Sequence, residues 1–99
     1  MQIKIHKAYR DIVSICDTDI IGKSFEEGNR ILDVKENFFK GEEINEEKLV
    51  KLIKEISSTT DATFNIAGKE SVEAALKAGI IDSSGIKTIQ GVPFALVLL

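Results

Sequence analysis

The hydrophobic period of this chain changes along its length, and that change restricts it to folds in which helices pack on a sheet. Residues 2–9 alternate, with Ile3, Ile5 and Lys7 on one side and Lys4, His6 and Ala8 on the other. A period of two predicts a strand. Arg10-Asp11 supplies a tight turn, and the β-branched run Ile12–Cys16 predicts the returning strand of a hairpin. The period then lengthens. Leu49, Leu52, Ile53 and Ile56 recur at i, i+3, i+4 and i+7, one face of an amphipathic helix, with Lys48, Lys51 and Glu55 on its wet side. Asn45 is a good N-cap, and Glu46 and Glu47 place negative charge at the positive end of the helix dipole.

A second unit of the same kind follows. Residues 59–66 predict a strand ended by Gly68, and Glu70–Ala78 a helix with Val72, Ala75 and Leu76 inward. Gly79 closes that helix as a left-handed residue. Residues 86–89 and 94–99 predict two further strands. The last is apolar on both faces, which suits a central or interface position. Between these elements, Asp17–Gly22 reads as a turn or a single helical turn, and residues 30–34 as a third strand after the break at Gly28-Asn29. Phe38-Phe39 lies just before a loop at Gly41, both rings covering the edge of the core, and Asp82–Gly85 reads as a turn. Gly91-Val92-Pro93 interrupts the last two strands. The expected class is α/β of the α+β type: a two-layer sandwich, a mixed sheet of about five or six strands with two main helices on one face. The 99 residues predict one domain, 1–99, with a modest core, and pairing into a homodimer would bury more surface.

Charge and cysteine usage narrow the functional classes. The formal net charge is −3, which argues against an autonomous nucleic-acid binder and leaves room for a protein or ribonucleoprotein partner. Cys16 is the single cysteine, so no intrachain disulfide forms. The alternating start is not a signal peptide, and no apolar run is long enough for a bilayer, so a cytoplasmic location without membrane contact is expected.

Most motifs that carry chemistry fail on inspection. Gly22-Lys23-Ser24 has the ending of a phosphate-binding loop, but Asp17 stands where the first glycine belongs. Asp17-Thr18-Asp19 would need oxygen ligands at Ile21 and Gly28 to be a calcium loop, so these are solvated turn carboxylates. His6 and Cys16 fall short of the four ligands of a closed zinc site. A Cys–His nucleophilic pair competes with the reading of Cys16 as a small packing residue. Glu26-Glu27, Glu42-Glu43 and Glu46-Glu47 are solvated faces. The segment Asn65–Ser71 is the most informative. A strand ends, Gly68 turns the chain, and a helix begins with Lys69 and Ser71 near its unpaired amides. That arrangement can hold an anion; it can equally be a tight turn with Ser71 helping to cap the helix.

The chain resembles the small archaeal proteins known as domain of unknown function 424. The resemblance runs through Cys16-Asp17, Ile21-Gly22-Lys23-Ser24-Phe25, Asn65-Ile66-Ala67-Gly68-Lys69 with Val72 and Ala75, Gly79-Ile80-Ile81 and Gly91-Val92-Pro93. It implies a two-layer α/β domain in an archaeal cytoplasm and a translation-associated role, and brings no catalytic residues. In the family pattern a histidine often follows the Val-Pro pair; Phe94 stands there in this chain. The leading expectation is a non-enzymatic binding or interaction module whose contact surface uses Gly22, Lys23, Ser24, Asn65, Gly68, Lys69 and Ser71. It has no metal, no cofactor and no catalytic residue. The alternatives are an enzyme or sensor holding an anionic metabolite at the Gly68 helix start, and a structural subunit of a larger assembly.

Overall fold

A computed structural model describes residues 1–98; Leu99, the end of the expected 94–99 strand, lies outside the described residues. The elements in chain order are β1 (Gln2–His6), β2 (Ile12–Cys16), β3 (Ser24–Glu27), β4 (Arg30–Asp33), α1 (Glu36–Phe39), β5 (Glu42–Glu43), α2 (Glu46–Thr59), β6 (Thr63–Ala67), α3 (Lys69–Ala78), β7 (Lys87–Ile89) and β8 (Val92–Val97). Six strands form one mixed sheet in the order β5-β1-β2-β6-β8-β7, and β3 pairs with β4 in a separate two-stranded sheet. The two main helices cover one face of the large sheet, as the change of period predicts.

Register explains the core. Ile3 lies opposite Ile15 and Ile5 opposite Val13 across the antiparallel β1–β2 hairpin. Parallel pairing of β2 with β6 then sets Val13 beside Phe64 and Ile15 beside Ile66, and β8 adds Ala95 and Val97. These side chains share a face because strand residues two apart point the same way. Leu49 and Ile53 of α2, with Val72, Ala74 and Ala75 of α3, close over it. Each large apolar side chain buried there contributes roughly 1.5–3 kcal/mol. Asn45 caps α2 as predicted, its Oδ1 accepting the Lys48 amide at 2.9 Å. Gly79 takes the left-handed conformation that ends α3.

The first strand ends at His6 rather than at residue 9, and Glu42–Glu43 pairs with it as β5; the structure departs from expectation in four further places. The helix expected to have finished before Thr59 runs through it, and β6 begins only at Thr63. The hydroxyls of Ser57, Ser58, Thr59 and Thr60 donate back to carbonyls three or four residues earlier and hold the last turn. Gly28-Asn29 is the tip of a hairpin rather than a break: β3, which was not anticipated, pairs with β4 outside the main sheet. Phe38 and Phe39 belong to the short helix α1. Gln90-Gly91, both at positive φ, form the turn of a β7–β8 hairpin, so Val92-Pro93 starts the final strand instead of interrupting it.

The face of the sheet away from α2 and α3 is only partly covered. There α1 and the β3–β4 hairpin bury Cys16, Val34, Phe39 and Ala67 in a second, smaller cluster. Farther along, Leu96 is 57% exposed and Leu98 70% exposed.

Candidate functional site

The parallel pairing of β2 and β6 brings two chain exits side by side. Cys16 lies opposite Ala67 at the last register position, so Asp17 and Gly68 emerge together at the carboxyl ends of the strands. The Asp17 amide donates to the Ala67 carbonyl at 3.1 Å, and the Gly68 amide to the Pro93 carbonyl at 2.8 Å, which draws in the start of β8.

Here the first amides of α3 find their acceptor. Asp17 Oδ1 accepts from the Ser71 amide and the Ser71 hydroxyl, each at 2.8 Å, and Oδ2 accepts from the Glu70 amide at 3.1 Å. A carboxylate at this position also meets the positive end of the helix dipole. Gly68 is required for two reasons: its φ is +106°, and a Cβ there would collide with the Asp17 carboxylate.

These contacts correct three expectations. Asp17 is 7% exposed and fully hydrogen-bonded, not a solvated turn carboxylate. The helix start is not an open anion cradle, because a carboxylate of the chain already fills it. Ser71 is 0% exposed and clasps Asp17, so it is not a contact residue. Asn65 is corrected as well: it sits mid-strand between Ser14 and Leu96, half-buried and away from the turn.

What remains accessible is a trough beside the junction. One part, of about 220 Å³, is lined by Asp17, Asp19, Ile20, Gly68, Lys69, Val92 and Pro93. An adjoining part, of about 430 Å³, adds Met1, Thr18, Glu43 and Glu70. Glu43 is anchored by the N-terminal ammonium at 3.1 Å and by the Thr18 hydroxyl at 2.9 Å. Those bonds hold its carboxyl below the ordinary range.

Gly22, Lys23 and Ser24 lie elsewhere, at the entrance to the β3–β4 hairpin, where the Gly22 amide donates to Val34 at 2.7 Å and the Lys23 carbonyl accepts from Val34 at 2.9 Å. All three are exposed. Gly22 lines a different concavity, so the two glycine–lysine turns do not share one site.

His6 and Cys16 stand at opposite ends of the β1–β2 ladder, facing Ile12 and Gln2 respectively, and form no pair. His6 stacks on Phe38 with centroids 4.6 Å apart, and its Nε2 lies 2.9 Å from both Ser14 Oγ and the Phe38 carbonyl. Burial first, then the charge of Asp17, pushes the Cys16 thiol up to about 12. A protonated, inaccessible thiol is not a nucleophile. Among the described residues no group of three or more His, Cys, Asp or Glu could hold a metal ion.

Comparison with known proteins agrees with this architecture. A family described as Protein of unknown function (DUF424) matches residues 6–99. No curated protein matches. Among solved structures, the chain is similar to an uncharacterized conserved protein from Methanopyrus kandleri, with a TM-score of 0.83 and 23% identity, covering 98% of this chain and 90% of that one. At that identity the likeness concerns the fold.

Proposed function

Since the chain belongs to the family described as Protein of unknown function (DUF424), we propose its role from its own geometry: a non-enzymatic interaction module that engages a macromolecular partner through the trough at the carboxyl ends of β2 and β6. One observation carries this reading. Segments distant in sequence, Asp17–Ile20, Gly68-Lys69 and Val92-Pro93, meet around a single concavity, and three of the stretches that resemble the family supply them. In open α/β sheets ligands gather beyond the carboxyl ends of the strands. The lining combines apolar Ile20, Val92 and Pro93 with exposed Asp19 and Lys69, the mixture typical of protein interfaces. The rival reading, an anionic metabolite held by α3, loses its receptor to Asp17. An archaeal cytoplasmic setting and a ribonucleoprotein partner extend the same proposal.

The test is affinity capture from an extract of the source cells, comparing the unaltered chain with Lys69→Glu and with Lys54→Glu on the wet side of α2. Retention of a defined species by the unaltered chain and by Lys54→Glu, and its loss with Lys69→Glu, is the expected result. Nuclease treatment then separates a ribonucleoprotein from a protein. Equal recovery by all three chains, or none by any, overturns the proposal. The panel includes Leu96→Glu, because the exposed Leu96 and Leu98 favour a second reading, a subunit docked through that bare sheet face. Loss confined to Leu96→Glu would move the contact there.

A further inference from the structure

A concavity of about 730 Å³ lies away from this trough and has a different chemistry. Lys4, Gly22, Asp33, Lys35, Glu36, Asn37 and Lys40 line it, and all are polar apart from the glycine. It is an open basin on the surface, its lining residues exposed apart from half-buried Lys4. Lys4 on β1, Lys35 just before α1 and Lys40 just after it bring three positive charges to its lining, against the two carboxylates of Asp33 and Glu36. That convergence runs against the −3 balance of the whole chain.

The wall is fixed. Buried Phe39 pins α1 to the sheet, and Ser14 Oγ donates to the Phe38 carbonyl at 2.7 Å. Lys4 Nζ donates to the Asn37 carbonyl at 2.8 Å, which orients the ammonium and leaves two of its three donors for a ligand. Lys35 makes no ion pair among the described residues. Lys40 is 3.4 Å from Glu36, but both are mostly exposed, so that contact yields readily to a better one. The site differs from the α3 helix start in the respect that matters: there the positive end is already occupied by a carboxylate, whereas here ammonium donors remain. The carboxylate of Asp33 and the amide of Asn37 supply acceptors and donors beside the lysines. A bare anion has no use for the acceptors; a ligand with hydroxyl groups does.

We propose that this concavity binds a phosphorylated, hydroxyl-bearing ligand, the phosphate on Lys4, Lys35 and Lys40 and the hydroxyls on Asp33 and Asn37. The proposal stands independently of the trough, and Lys69 plays no part in it. A free sugar phosphate and a ribonucleotide chain present the same chemistry, and the test distinguishes them.

The ¹⁵N-labelled protein is titrated with ribose 5-phosphate, with inorganic phosphate, with ribose, and with a short oligouridylate. Saturable shifts of the Gly22 and Lys35–Lys40 amides are expected, with ribose 5-phosphate or the oligomer binding more tightly than phosphate or ribose alone. Stronger binding of the monomer assigns a metabolite; stronger binding of the oligomer assigns an RNA chain. Lys35→Gln, which breaks no contact of the fold, is expected to weaken binding about tenfold, the effect of one lost charge-assisted contact. Lys54→Gln leaves binding unchanged. Absence of saturation with every probe up to about 10 mM, tenfold beyond a Kd of about 1 mM, overturns the proposal. So does equal binding by Lys35→Gln.

Discussion

At the scale of single residues, Asp17 makes contacts that no local pattern discloses. Its carboxylate caps a helix whose own N-cap residue, Gly68, has no side chain to offer. In Asp17→Ala, the amides of Glu70 and Ser71 and the buried Ser71 hydroxyl all lose their acceptor. Loss of a cap together with unsatisfied buried donors costs about 2–4 kcal/mol. Urea unfolding should show that loss, with Asp17→Asn recovering part of it through the remaining oxygen. A change within about 0.5 kcal/mol, the scale of ordinary surface substitutions, would mean that the cap contributes nothing. Gly68 and Lys69 could be read from the sequence as a strand–helix junction. Asp17 could not be joined to them, because its partner Ser71 is 54 residues away and such a separation leaves no periodic trace.

At the scale of elements, what was legible followed from period and punctuation. The β1–β2 hairpin, α2 with its Asn45 cap, and α3 between Gly68 and Gly79 each carry a local signal strong enough to survive tertiary context. The β3–β4 hairpin shows only its second half, residues 30–34, which read as a strand; Ser24–Glu27 does not, and Ser24, Glu26, Glu27, Arg30, Ile31 and Asp33 are all exposed. Half-buried Phe25 and Leu32 form its inner face, too few for an alternation to stand out. Gly28-Asn29 therefore reads as a break unless both flanking strands are already known. Thin burial has a dynamic consequence. Elements with few buried apolar contacts open at lower free energy than the core sheet. Hydrogen exchange should find the amides of β3 and β4 unprotected well before those of β2 and β6. Equal protection would show the hairpin to be part of the same cooperative unit.

At the scale of the whole molecule, titration should squeeze stability from both sides. Asp11, bonded to Lys7 and Ala8, Glu43, bonded to the N-terminal ammonium, and Asp82, bonded to Ser84, all have carboxyls held below their ordinary values. A depressed carboxylate stabilises the folded chain at neutral pH, and the contribution fades as pH falls through the folded value. All three are exposed, so that acid-side loss is gradual. Cys16 acts with the opposite sense. Its thiol, raised from 9.0 to about 12, stays protonated in the folded chain while the unfolded one ionises. Stability therefore declines as pH rises above about 9. Urea midpoints measured from pH 3 to 11 should trace a plateau near neutrality with a shoulder on each side, and Cys16→Ala should reduce the alkaline shoulder, to which Lys77, raised by its bond to Glu46, also contributes. An alkaline decline of the same size in Cys16→Ala would place its origin elsewhere.

The bond between Asp17 and Ser71 also ties the start of α3 to the alignment of two strands from opposite halves of the chain. Slipping β2 by one residue against β6 would move the carboxylate by about 3.3 Å and carry it past the amides it serves. The first turn of this helix is thus coupled to the parallel pairing: its amides meet their acceptor in the register that sets Cys16 beside Ala67.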